Sequence, residues 1–342
     1  MKAHILLSKL KRRLRSSVIK TTAGKRVYPL FYMAYWHARF YRPKSNVEGN
    51  YFSAIPNPGA GIGHQIANWI AGFWYAKQFG LKFAHIPFSS QQWDNVLGFG
   101  DNEVLVEDLI RKKGYKKIRL PLFNEDKKCD LNLIRKIVTS YRDQQVVFIC
   151  EQDQAYRDQF GVQEDIKQKF FMAKERENEK LVFSESDFNI AVHVRRGDII
   201  PQKNVDNPNL QMRWQDNTYF ETVLSTIVDN LLINKTINIY LFSQGERSDF
   251  AVFEKFKNIN YCLDMSAHDS FVHMAYADLL ITSKSSFSYK PALLNKGIKV
   301  CPINFWHGYP GSKEWILVDE KGGFDVKRLQ ALSKSVVDLQ NE

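Results

Sequence analysis

Two adjacent arginines closing an apolar run are the residues of this chain best placed to do chemistry. The run Asn189-Ile190-Ala191-Val192-His193-Val194 breaks into Arg195-Arg196-Gly197-Asp198. Guanidinium forks match phosphate oxygens in pairs, so arginines here point to an anionic ligand. The run suits a buried strand of a parallel sheet, and open α/β sheets bind ligands at the carboxyl ends of their strands. Strand alternation puts His193 and Arg195 on one face and Arg196 on the other. Arg195 is then the better phosphate contact. Arg196 fits equally well a structural role, paired with a carboxylate. Asp198 can take part in proton transfer or fix the loop by accepting backbone N–H bonds.

Further strand ends offer polar groups at the same sheet edge. Ile237–Phe242 runs into Ser243-Gln244-Gly245, and Leu279–Thr282 into Ser283-Lys284-Ser285-Ser286-Phe287-Ser288. Ser285 and Ser286 stand at a helix start, where hydroxyls and free backbone N–H groups bind phosphate. Asp269 lies near this edge, and a carboxylate there suits the ring donors of guanine. Asp278 reads as a helix-end or loop residue. No DxD pair or metal-ligand cluster accompanies these groups. An arginine and a helix terminus can replace a divalent cation at a leaving diphosphate, so no metal or other cofactor is expected.

The elements that must position these groups follow an α/β rhythm. Residues 51–88 form a βαβ unit: strand Tyr51–Ile55, a glycine turn, a long apolar helix, and strand Leu81–Ile86. The turn spells Gly59-x-Gly61-x-Gly63, which only partly matches a dinucleotide fingerprint, and no acidic residue follows the second strand. A nicotinamide cofactor is not expected. The turn serves either a ligand or close packing. Residues 89–185 are less legible, with an amphipathic stretch at 104–110, a solvated basic run at 112–117, a strand at 146–150 ending at Glu151, and charged helix at 163–180. From 188 onward come strand 189–194, helix 217–233, strand 237–242, helices 248–257 and 268–277, strand 279–282, helix 287–295, strand 297–301 and a last helix from 325. The expected domains are a basic extension (1–48), a first Rossmann-like domain (49–185) and a second (186–342).

The formal net charge is +11, yet residues 1–47 hold twelve Lys and Arg and no acidic residue. The remainder carries 36 basic against 37 acidic residues (48 − 12 = 36), so it is nearly neutral. That balance argues against a nucleic-acid-binding core. Residues 2–20 read as a basic amphipathic helix, followed by the aromatic run Tyr28–Trp36. Basic charge beside Tyr and Trp suits an anionic membrane surface, making residues 2–44 a candidate peripheral contact; a solvated arm is the other reading. No apolar run reaches the length of a membrane span and no signal peptide is evident. The four separated cysteines read as reduced thiols of a cytoplasmic protein.

Three motifs together resemble a known family. His193-Val194-Arg195-Arg196-Gly197-Asp198 is similar to the HxRRxD motif of GDP-fucose-dependent fucosyltransferases, especially the α-1,2 and α-1,6 groups and their bacterial relatives. Ala277–Tyr289 resembles the second signature, an Asp followed by a strand and then Ser-Ser-Phe-Ser. Ala60-Gly61-Ile62-Gly63-His64-Gln65 resembles the first glycine motif, with His64 where Asn is usual. The motifs fall in family order. The resemblance implies a GT-B architecture of two Rossmann-like domains and metal-independent, inverting transfer of L-fucose from GDP-fucose. It places Arg195 on the β-phosphate and Ser285, Ser286 and Phe287 in the donor pocket. Gly61, Gly63, His64 and Gln65 of the glycine motif are further expected donor contacts, and the strand-end reading adds Ser243, Gln244 and Asp269. Members with a glutamate base carry it soon after the arginines, where this chain has Ile199-Ile200-Pro201-Gln202-Lys203. Asp198, Glu151 and His193 remain candidates for the base. The expected partners are a nucleotide sugar and a glycan acceptor, with no nucleic acid. The acceptor expected is a bacterial surface glycan, such as lipopolysaccharide, at the inner face of the cytoplasmic membrane. Another nucleotide sugar on the same fold, or a non-catalytic binding relative, are the alternatives.

Overall fold

The computed structural model describes residues 49–339 apart from 58, 143, 151–157, 200–207 and 264. The basic extension, with its expected membrane contact, and Glu151 lie outside the described residues. Two compact units form. The first gathers 49–57, 68–86 and 102–150, and the second 59–67, 87–101 and 158–339. The second unit reaches further back along the chain than a boundary at 185. The reason lies in contacts such as Gln163 Nε2 donating to the Leu293 carbonyl (3.2 Å) and the Val182 amide donating to His273 Nε2 (3.0 Å).

Strands of the first unit are β1 (Tyr51–Ala54), β2 (Lys82–His85), β3 (Val104–Leu105), β4 (Lys116–Arg119) and β5 (Val146–Cys150). They pair in parallel in the order β3-β2-β1-β5-β4. Helix α1 (Ile62–Gln78) opens in the second unit and continues in the first; α2 (Gln91–Leu97) belongs to the second unit, and α3 (Val106–Arg111) and α4 (Lys128–Ser140) to the first. One sheet face buries Tyr51, Ala84, Val147 and Ile149 against Val106 and Leu109 of α3. The other sets Phe83 edge-on to Trp69 of α1 at 4.9 Å and Phe148 to Tyr141 at 5.8 Å. The basic run at 112–117 is solvated as expected, and its last two lysines, Lys116 and Lys117, open β4. That strand is an edge, where exposed lysines deter pairing with another chain while Ile118 turns inward.

The second unit is a six-stranded parallel sheet. Its strands are β6 (Phe188–His193), β7 (Ile237–Phe242), β8 (Ile259–Cys262), β9 (Leu279–Ile281), β10 (Ile298–Pro302) and β11 (Trp315–Val318). Besides α2 and a short helical turn at Pro208–Gln211, its helices are α5 (Gln163–Phe171), α6 (Asn217–Asn230), α7 (Ala267–Tyr276), α8 (Ser286–Leu294) and α9 (Val326–Leu339). Every residue of β6 is buried, which explains its continuous apolar run. Phe188, Ile190, Val192 and Val194 join Phe220, Val223 and Ile227 of α6 and Leu329 of α9 in one core. Each such side chain contributes about 1.5–3 kcal/mol by leaving water. His193 faces the opposite side, where its ring lies 5.5 Å from Phe287 of α8. Helices therefore cover both faces, and the expected α/β class with two Rossmann-like units is what the chain forms.

The strand order β11-β10-β9-β6-β7-β8 reverses between β6 and β9. Connections from β6 run outward through β7 and β8, and those from β9 run the other way through β10 and β11. Loops after β6 and β9 therefore part company and leave a crevice at their carboxyl ends. Two differences from the sequence reading arise at the margins. Residues 247–253 form a 3-10 segment broken at Phe250 (φ −116°, ψ 23°) rather than a helix over 248–257. Edge strands β8 and β11 are also additional to the expected set. No described helix is long and apolar enough to cross a membrane, and all four cysteines are free thiols.

Candidate functional site

A cavity of about 530 Å³ occupies the crevice where β6 and β9 diverge. It lies wholly within the second unit. Arg195, Arg196 and Arg213 line it, and among the described residues its wall has no Asp or Glu. Around these guanidiniums stand the first turn of α1 (Gly61, Gly63 and His64) and that of α8 (Ser286 and Phe287). Each helix start adds a fractional positive charge of about one half. Phe242, Leu263, Met265 and Ala267 make the other end apolar. Such a site takes a doubly charged oxyanion carried on a flat, less polar group.

Arg195 leaves the end of β6 toward α8. Its Nη1 donates to Ser285 Oγ at 3.1 Å, and the same oxygen accepts the Phe287 amide at 3.2 Å as the α8 N-cap. The guanidinium is thus tied to the helix start that shares its ligand. Arg196 turns the other way, as alternation requires. It donates to the Arg195 carbonyl (2.7 Å) and to Asn217 Oδ1, and its guanidinium lies 4.1 Å over the Trp214 ring. These partners are neutral, not the carboxylate expected for it. Burial pushes its pKa down to about 10, with Asp216 and Asp249 opposing, so it stays charged. Gly197 is favoured by its φ of +71°, and the Gln244 side-chain tip lies against it.

His193 lines the cavity with its Nδ1 2.7 Å from Ser283 Oγ. Burial, reinforced by the charges of Arg195 and Arg196, pushes its pKa down to about 3. The imidazole is therefore neutral and weakly basic, a poor proton acceptor at neutral pH. Asp198 sits in a 3-10 turn, Gly197–Ile199, immediately after the arginines. Ser243 lines the cavity, but its hydroxyl donates to the Val194 carbonyl at 2.7 Å and braces the exits of β6 and β7. Gln244 lies beside it on the wall.

Two expected donor contacts are engaged elsewhere. Gln65 is absent from the cavity wall: its Nε2 donates to the Ala60 carbonyl and to Ser89 Oγ, both at 2.8 Å, and its Oε1 accepts the Ser89 amide. It clamps the glycine turn. Asp269 serves the start of α7, where its carboxylate accepts from Ser266 Oγ at 2.7 Å and its amide donates back to that hydroxyl. Asp278 accepts the Asn189 amide at 2.8 Å at the opposite end of β6.

Some site residues carry no sequence signal. Arg213 comes from a loop without periodicity, and its guanidinium lies 4.9 Å over the Trp306 ring. Behind α8, His307 Nε2 meets Ser286 Oγ at 2.7 Å. Its pKa is lowered to about 2 by burial, then by Lys290, His64 and Arg213.

Gly63 decides how closely the two helix starts approach. A Cβ there would stand 2.8 Å from Ser286 Cβ and 2.9 Å from its carbonyl carbon and oxygen. Backbone cannot yield as a side-chain tip can. Gly63→Ala is expected to cost about 1–3 kcal/mol of stability by overpacking and to part the two N-termini. Denaturant melts and nucleoside-diphosphate titrations check this. A wild-type melt and affinity would show that the close approach is not needed. At Gly61, by contrast, a Cβ meets nothing within 4 Å, so close packing does not explain that glycine.

No protein-family model matches the chain, and no curated protein matches it. Solved structures with a similar fold include POFUT1 in complex with GDP, at 11% identity over 75% of this chain and 99% of that one, with a TM-score of 0.45. Fucosyltransferase NodZ from Bradyrhizobium is 13% identical over 73% and 94%, with a TM-score of 0.41. E. coli heptosyltransferase WaaC with ADP-2-deoxy-2-fluoro heptose is 10% identical over 86% and 100%, with a TM-score of 0.41.

Proposed function

We propose that this chain is a glycosyltransferase that moves L-fucose from GDP-fucose to a glycan hydroxyl with inversion. One observation carries the reading: a cavity at the β6/β9 divergence walled by three arginines and two helix N-termini, with no acidic residue among its described lining. That arrangement suits a diphosphate, most of all as it leaves. The bond between the anomeric carbon and the β-phosphate oxygen breaks, and its electron pair goes to the phosphate. The acceptor oxygen bonds to the opposite face of the sugar and loses its proton. Fixed positive charge aimed at the leaving oxygens favours the transition state over the ground state. The three motifs support fucose as the sugar and guanosine as the nucleoside. For the base we propose Asp198, which follows the arginines in the Gly197–Ile199 turn. The acceptor class we propose is a bacterial surface glycan met at the cytoplasmic membrane face, on the strength of the basic, aromatic residues 2–44.

A panel of nucleotide sugars and their diphosphates tests the reading. GDP and GDP-fucose should raise the melting temperature above all other members. A ligand at 100 times its Kd stabilises by about 2.7 kcal/mol. GDP-fucose should also be hydrolysed slowly. Failure of every nucleoside diphosphate to stabilise the fold would reject the site. Preference for another nucleotide sugar would reassign the donor, and GDP binding without turnover in any acceptor mixture would make the chain a binding module.

A further inference from the structure

The cavity has two unlike ends, and its surroundings extend beyond one of them. The apolar end lies at the exits of β7 and β8, with Phe242, Leu263 and Met265. A nucleoside on that side puts its diphosphate under Arg195. The sugar must then lie toward the remaining end, where His64, Ser286 and Arg213 stand. Whatever the sugar is passed to must approach there too. Beyond this end runs the segment Ile303–Tyr309. Two contacts bind it to the cavity wall: His307 to Ser286 and Trp306 to Arg213. Trp306 is 43% exposed, an unusual state for the largest apolar side chain. The Arg213 guanidinium lies over its ring at 4.9 Å and covers at most one of the two faces. Phe305 and His307 meet it tilted, at 45° and 57°, rather than stacked on the indole.

We infer that Trp306 is the stacking platform for a neutral pyranose ring of the acceptor, held beside the sugar end of the donor cavity by Arg213. An indole offers a rigid, broad surface at little cost in conformational freedom, and its polar edge tolerates water. The apolar C–H face of a pyranose ring matches it. A single guanidinium separates the indole from the cavity, so a stacked ring lies within reach of the anomeric carbon. The inference deepens the glycosyl-transfer reading and rests on it for the direction of approach.

Methyl β-D-galactopyranoside, β-D-glucopyranoside and N-acetyl-β-D-glucosaminide, titrated with and without GDP and followed by saturation-transfer NMR, test it. At least one should bind the wild-type protein, with transfer strongest at the protons of one ring face. Trp306→Leu should weaken that pyranoside about tenfold, and Trp306→Tyr should retain most of the affinity. GDP affinity should move several-fold less in both variants. Arg213→Gln should show the reverse order, with GDP the more affected. Thermal melts identify an unfolded variant, and Trp306→Tyr then carries the test. Absence of pyranoside binding to the folded wild type, or wild-type binding in Trp306→Leu, would overturn the platform. So would losses of GDP and pyranoside in equal measure, which would reduce Trp306 to a support for Arg213. Pyranoside binding through Trp306 in a protein that ignores GDP would instead sink the donor reading and leave the platform standing.

Discussion

Arg195→Ala is expected to lower GDP-fucose turnover by about 10²–10³-fold, the usual cost of losing one fixed donor to developing negative charge. The geometry says why the effect should be large and specific. Arg195 is only half-buried, lines the cavity, and is tied to Ser285 at the α8 N-cap. Its removal deletes a charge and frees the hydroxyl that orients the helix start, yet leaves the sheet core untouched. Turnover should therefore fall far more than the melting temperature. Arg195→Lys should recover only part of the loss, because an ammonium is a point charge without the guanidinium fork. Arg196→Ala makes the contrast. That guanidinium is buried against Trp214 and bonded to Asn217 and the Arg195 carbonyl, so its loss should lower stability as well as turnover. Steady-state hydrolysis of GDP-fucose beside thermal melts separates the two patterns. Turnover within a few-fold of wild type in Arg195→Ala would show that the phosphate clamp lies elsewhere.

Much of this frame is legible in the residues because burial on both faces leaves a strong mark. The strand before the arginines is mostly apolar since helices cover both sides of it. Alternation alone separates His193 and Arg195 from Val192 and Val194, and the structure keeps that division. Edge elements are harder. β8 carries Asn260 and Tyr261, β11 follows the glycine- and proline-containing stretch 308–312, and β4 is half lysine. Each has only one buried neighbour strand, so its side chains need not be apolar. The 3-10 segment at 247–253 has helical composition, but Phe250 breaks it where Asp249 and Glu246 close a capping box.

The candidate site was legible in proportion to how far its groups belong to regular elements. Arg195, Ser285, Ser286 and Gly63 sit at strand ends and helix starts, where position follows from the α/β order. Gln65 and Asp269, expected to touch the ligand, hold local partners instead of lining the cavity. Polar side chains near helix starts are drawn to local groups: Gln65 bonds the Ala60 carbonyl and the Ser89 amide, and Asp269 accepts from the Ser266 cap hydroxyl. Arg213 and Trp306 come from loops on different parts of the chain. Their meeting depends on the packing of the whole unit and leaves no local period to read.

Acid should loosen this fold earlier than its composition suggests. His193 and His307 are buried neutral, with pKa values pushed down by desolvation to about 3 and about 2. In the unfolded chain each returns to about 6.5. Between those values the unfolded state binds more protons than the folded one, so stability is full above about pH 6.5 and falls as pH is lowered. Each histidine contributes ~1.4 kcal/mol per pH unit in that window, hence ~4 kcal/mol for the pair on going from about pH 6.5 to about pH 5. His268 and His273 are lowered by burial and act in the same sense. The carboxyls of Asp278 and Glu179, raised by burial, oppose it. Urea unfolding followed from about pH 7.5 to about pH 5 measures the slope, and His307→Gln should reduce it by nearly one proton. An unchanged slope in that variant would mean that the ring is already protonated in the folded protein. Its bond to Ser286, and with it the anchoring of the Trp306 segment to the cavity wall, would then need a different account.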